Sequence, residues 1–208
     1  MESLQVLVMC TANVCRSPIA EQLMAQGFAE IGIDARFSSA GFLESGRAIH
    51  NRSAAALASR GIDASQHMST QIRPDLIAAA DLVVVMEADH LRRLVGEDHS
   101  CFDKVFTLRE LATRISEVGA RPDGESMADW LVRLNVGRAP QDFLGTTTHL
   151  DVSDPIRSGD DGFSQSVDEI ALLVGAVVAG ADGRLVGPPP APVDPDARSG
   201  RRRFWSRR

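Results

Sequence analysis

Tyrosine is missing altogether from this 208-residue chain, and lysine nearly so, since 21 of its 22 basic residues are arginine. The arginine bias reads as genome composition. The lack of tyrosine means that any aromatic wall must come from other side chains. Only three cysteines occur, an odd number with two of them five positions apart, which excludes a disulfide framework and points to a reducing cytoplasm. No apolar run approaches membrane-spanning length, and the first nine residues lack the basic start of a signal peptide. There is no Gly-Lys-Ser/Thr, so a Walker-type nucleotide loop is excluded. The five histidines, His50, His67, His90, His99 and His149, show no metal-ligand spacing, and no metal or cofactor is expected. Net charge is -6, and the last twenty-one residues hold six Arg against two Asp, so the remainder carries -10. A body so acidic disfavours nucleic acid as a partner.

What is present alternates. Leu4 to Met9 reads as a buried strand, Pro18 to Ile31 as an amphipathic helix, Phe37 to Ala40 as a strand, and Asn51 to Arg60 as a helix stopped at Gly61. Leu82 to Met86 and Lys104 to Phe106 read as two more strands. Leu108 to Val118, Met127 to Leu134 and Gly162 to Val178 read as helices, the last from Phe163, Val167, Ile170, Leu173, Val174 and Val177 at helical spacing. Strands alternating with helices predict an α/β fold whose parallel sheet is covered on both faces. One domain over residues 1–186 is expected, followed by a Pro/Arg-rich tail at 187–208 that opposes a packed core.

Between the first strand and the first helix lies Cys10-Thr11-Ala12-Asn13-Val14-Cys15-Arg16-Ser17, followed by Pro18. A tight loop feeding a helix start is an anion site, because successive N–H groups converge and the helix adds its positive end. Arg16 offers a bidentate clamp for two phosphate oxygens. A cysteine at the bottom of the same loop sits in a field that favours the thiolate, its nucleophilic form. Cys-x5-Arg alone is a weak signal in a chain with this much arginine; the preceding apolar strand, Asn13 and the Ser17-Pro18 helix start strengthen it. For the leaving oxygen a proton donor is needed, and Asp154, followed by Pro155 on a loop before the last helix, is the candidate. By itself Asp-Pro is merely a turn; its pairing with the cysteine loop gives it weight.

Taken together, the loop with Ile19-Ala-Glu21, Ser39-Ala-Gly41, Arg60-Gly-Ile-Asp63 with His67, Ala80 to Glu87, and Asp154-Pro155 resemble the low-molecular-weight protein tyrosine phosphatase family, including its arsenate reductase relatives. The resemblance spans roughly residues 4–180 and implies a three-layer fold with a central four-stranded parallel sheet, flavodoxin-like in arrangement, and the loop at the carboxyl end of the first strand. It further implies Cys10 as nucleophile, Arg16 as clamp, Asp154 as general acid, Ser17 as the hydroxyl that steadies the sulfur, and Asn13 with Ser39 as supports of the loop. Cys15 matches a second loop cysteine able to form a reversible disulfide with the nucleophile. The implied activity is metal-free hydrolysis of a phosphotyrosine protein or another phosphomonoester through phosphocysteine.

Several positions depart from that pattern. Ile156 and Arg157 stand where aromatic residues commonly follow Asp-Pro, leaving Phe42 or Leu43 to supply a wall. Ala12 replaces a usual glycine, and Val14 stands where phosphoarginine-selective members carry threonine, which favours phosphotyrosine. Residues 109–150 form a region longer than the family pattern, expected to be a lid or docking surface. Arsenate reduction is a rival reading that suffers from having only Cys101 outside the loop. A non-catalytic phosphopeptide-binding module is another, opposed by the intact Cys10, Arg16 and Asp154. For the tail, a solvated end is favoured over contact with anionic lipid or an acidic partner.

Overall fold

The computed structural model describes residues 3–145, 147–157 and 159–192. Its strands are β1 (Leu4–Cys10), β2 (Ala35–Gly41), β3 (Leu82–Val85) and β4 (Val105–Thr107), all parallel in the order β2-β1-β3-β4. Side chains alternate faces along each strand. Leu4, Val6, Val8 and Cys10 thus enter one apolar cluster, whereas Leu7 and Met9 enter the other. Both faces are apolar, so the central strands β1 and β3 read as near-continuous hydrophobic runs, whereas the edge strand β2 carries Arg36, Ser38 and Ser39.

Over the first face lie α1 (Arg16–Glu30), α5 (Leu108–Val118) and α7 (Asp160–Ala181), with Leu57 of α2 (Asn51–Ala58) joining that core. The opposite face carries α3 (Pro74–Ala79) and α4 (Ala88–Glu97), the latter burying Leu91, Leu94 and Val95. The three-layer expectation is met. Sequence reading placed nothing at α3 or α4. At its other boundaries the structure agrees or moves by at most three residues, the starts at Leu4, Asn51, Leu82 and Met127 being unchanged, and Leu108–Val118 coincides with the expected helix.

Two expectations change. By length and composition α7 could cross a membrane, contrary to the reading that no apolar run approaches that span. It serves instead as a core helix against α1 and α5, with Ile170, Leu173, Val174 and Val177 buried at about 1.5–3 kcal/mol each. The long region after α5 is fastened to the body. Trp130 of α6 (Met127–Asn135) is 1% exposed. Arg138 pairs with Glu110 at 2.6 Å and lies 3.8 Å from the Phe106 ring centroid. After α7 the described residues form no further helix or strand, and the Pro190 carbonyl accepts a hydrogen bond from Arg109. The remainder of the expected tail, 193–208, lies outside the described residues.

β1 has β2 on one side and β3 on the other, so the segments leaving β1 and β3 diverge at their carboxyl ends. Such a switch point is where open α/β sheets hold ligands. Cys10 ends β1, and Glu87 follows β3 within two residues, which places both at that crevice.

Candidate active site

The turn from β1 into α1 requires one residue in the left-handed region, and Asn13 supplies it at φ 52°. It is the single non-glycine with positive φ among the described residues, so Ala12 keeps an ordinary backbone and its Cβ is tolerated. Where close approach does demand glycine is Gly41. A Cβ there would lie 2.8 Å from Asn13 N and 2.9 Å from Thr11 O. Through that contact the loop is stitched to the next strand end: Phe42 N and Leu43 N donate to Thr11 O at 2.8 and 3.2 Å.

Side chains fix the rest of the loop, and their donor directions can be followed from one end. Glu21, a carboxylate, can only accept, so the Ser39 hydroxyl donates to it at 2.5 Å. Asn13 Oδ1 accepts from Thr70 N at 2.8 Å, which sets its amide orientation. Asn13 Nδ2 then donates to Ser39 Oγ at 2.7 Å and to Ser17 Oγ at 2.9 Å. Ser17 Oγ, which accepts from Asn13, lies 3.1 Å from Cys10 Sγ, and toward a thiolate, which carries no proton, the hydroxyl is the donor. His67 Nε2 donates to Asn13 O at 2.8 Å. Ser17 therefore serves the sulfur rather than capping the helix. α1 begins at Arg16 with no side-chain cap and no acidic residue in its first turn.

Arg16 is 2% exposed. Burial works against its charge, yet Glu87, Cys10 and Asp154 outweigh that and hold its pKa above the ordinary arginine value. Nη1 donates to Glu87 Oε1 at 2.5 Å and to the Val152 carbonyl at 2.7 Å, while Nη2 lies 3.7 Å from Asp154 Oδ2. One edge of the guanidinium is thus anchored on the protein, and the other faces the cysteine loop's candidate acid. Asp154 is half-exposed, and its Oδ1 accepts from Ile156 N at 3.2 Å. The segment before it is pinned rather than free: Val152 N donates to Met86 O, and Asp151 accepts from Ala88 N, both at 2.8 Å.

Cys10, Arg16, Ser17, Asn13, Ser39 and Asp154 are thereby brought together. Sequence reading missed the parts played by Glu87, Glu21, Thr70 and the Val152 carbonyl. Glu87 was visible only as the residue after an apolar strand, and a backbone carbonyl leaves no sequence signal. Phe42 proves buried, tilted against His90 at 5.3 Å and covered by Arg93, so of the two proposed wall residues Leu43 is the exposed one. Cys15 is also buried; burial pushes its thiol from 9.0 to about 11, and the Ser53 hydroxyl donates to its sulfur at 3.2 Å. At pH 7 it is a neutral thiol. Cys101 belongs to the cluster on the opposite face of the sheet, away from Cys10 and Cys15.

Residues 5–120 match the model of the low molecular weight phosphotyrosine protein phosphatase family. The chain belongs to this family. A protein-arginine-phosphatase of Bacillus subtilis is 34% identical over 112 residues, covering 53% of this phosphatase and 73% of that protein. A low molecular weight protein-tyrosine-phosphatase of Streptomyces coelicolor is 29% identical over 188 residues, or 86% and 97% of the two chains. Among solved structures, the low molecular weight protein tyrosine phosphatase of T. tengcongensis superposes with a TM-score of 0.63 at 26% identity, covering 85% of this phosphatase and 98% of that chain. The family match ends before Asp154. For that residue the support is its place beside Arg16.

Proposed function

We propose that this phosphatase hydrolyses phosphotyrosine in proteins, with Cys10 as nucleophile, Arg16 as phosphate clamp and Asp154 as general acid. The observation that carries the reading is the meeting of a sulfur, a half-anchored guanidinium and a carboxyl at one switch point, the sulfur served by a directed hydroxyl. Thiolate Cys10 attacks phosphorus in line, and the bond to the ester oxygen breaks as Asp154 protonates it. Loop N–H groups and Arg16 stabilise charge on the equatorial oxygens. Asp154, now ionised, takes a proton from the water that attacks phosphocysteine, which releases inorganic phosphate and restores the thiolate. Val14 offers no hydroxyl in the loop, which supports phosphotyrosine over phosphoarginine. The exposed Leu43 and Ile156 replace an aromatic rim with an aliphatic one. Cytoplasmic residence fits three free thiols.

Arsenate reduction is not favoured, because Cys101 packs on the far side of the sheet and gives the loop no resolving partner. The deciding experiment is Cys10→Ser assayed with a phosphotyrosine peptide and with vanadate binding. Turnover is expected to vanish while the oxyanion still binds. Hydrolysis that persists in the variant overturns the mechanism.

A further inference from the structure

The mouth of the loop contains a clamp that the mechanism above does not use. Thr11 follows the nucleophile directly and is exposed, yet its hydroxyl lies 3.0 Å from Nε2 of His90, a residue of α4 that is only 6% exposed. His90 Nδ1 is buried and has no hydrogen-bond partner among the described residues. Burial lowers the ring to about 4, so at neutral pH it carries one N–H. Which nitrogen bears it follows from the surroundings. A proton on Nδ1 would strand a buried donor, and a lone pair on Nε2 would face the Glu87 carboxylate 3.9 Å away. With the hydrogen on Nε2 the ring donates to Thr11 Oγ1 and turns an N–H toward Glu87, and the buried Nδ1 keeps a lone pair in place of a stranded donor. The threonine proton is then released from the protein and available to an outside acceptor.

We propose that His90 is a positioning residue which, by donating to one lone pair of Thr11 Oγ1 and taking no proton from it, presents the Thr11 hydroxyl as a hydrogen-bond donor to the phosphorylated polypeptide just outside the phosphate loop. The phosphoryl oxygens are served by the loop amides and Arg16, so the acceptor for an exposed hydroxyl at the rim is a carbonyl of the substrate chain. This rests on the phosphatase reading and names a specificity determinant for it. Phe42, tilted against His90 and covered by Arg93, keeps the imidazole from turning, while the Phe42 and Leu43 amides hold the Thr11 backbone.

The test compares a phosphotyrosine peptide with p-nitrophenyl phosphate, which has no peptide carbonyl. Thr11→Val is expected to lower kcat/KM for the peptide by about three- to tenfold, the worth of one hydrogen bond, and to cost the small ester less. Thr11→Ser should retain the wild-type ratio. His90→Phe should reproduce the valine effect and add nothing in the Thr11→Val background; His90→Gln, which keeps a side-chain N–H, should recover most of the loss. Equal losses on both substrates for Thr11→Val, or a His90→Phe cost undiminished by that background, overturn the inference. The Thr11 pair decides it even if the histidine variants fail to fold. Wild-type turnover of p-nitrophenyl phosphate, lost in Cys10→Ser, checks the underlying phosphatase reading separately.

Discussion

Glu87 Oε1 sits 2.5 Å from Arg16 Nη1 and so holds the side of the guanidinium turned away from the candidate acid. The carboxylate has two opposing effects on an incoming phosphate: it orients the clamp, and it places a negative charge near the anion. Separating them takes two variants. Glu87→Gln keeps an acceptor of the same shape without the charge, and inorganic phosphate should then inhibit about three- to tenfold more tightly. Glu87→Ala loses the orientation, and kcat/KM should fall by about tenfold or more. Inhibition constants and steady-state rates measured side by side check both; an Ala variant as active as wild type would show that Val152 O alone suffices.

Asp154 is expected to matter in proportion to how badly the leaving group needs a proton. Asp154→Ala should slow hydrolysis of a tyrosyl or alkyl phosphate by about 10²- to 10⁴-fold and that of p-nitrophenyl phosphate far less, because nitrophenolate departs unprotonated. A uniform loss across leaving groups would assign the carboxyl to holding Arg16 instead.

Gly41 predicts a steric experiment. A methyl group there meets backbone atoms of Thr11, Ala12 and Asn13 at 2.8–3.0 Å, and backbone cannot swing aside as a side chain can. Gly41→Ala should destabilise the fold by about 1–3 kcal/mol and weaken vanadate binding by distorting the loop. Thermal melting with and without vanadate measures both effects. An unchanged vanadate affinity would show that β2 yields rather than the loop.

Cys15 makes stability depend on pH at the alkaline end. Below pH 9 its thiol stays protonated in folded and unfolded chains alike. Between 9 and about 11 only the unfolded chain ionises, so stability should fall as pH rises, by about 2–3 kcal/mol across the window. Denaturant titrations at pH 8 and 10.5 should show this loss in the wild type and a smaller one in Cys15→Ala. Parallel losses would place the dependence elsewhere.

How much of this was legible beforehand depended on the kind of signal. The strand Leu4–Cys10 and the helix Leu108–Val118 stood out because long apolar runs and three-to-four spacing persist over seven or more residues. α3 spans six residues and buries none, so periodicity had nothing to act on; α4 hides Leu91, Leu94 and Val95 among Arg92, Arg93 and acids. The site divides the same way. Cys10, Asn13, Arg16 and Ser17 lie within eight consecutive residues and announce a loop. Glu87, His90 and Thr70 reach that loop only through the sheet order, which no local pattern encodes.

The uncapped start of α1 has a practical corollary. Its N-cap residue, Cys15, supplies no side-chain acceptor to the first amides, so an oxyanion that docks there completes the helix as well as filling the loop. Buffers that contain phosphate or sulfate should therefore raise the melting temperature in a saturable, concentration-dependent way, and midpoints recorded in Tris and in phosphate would describe differently ligated molecules.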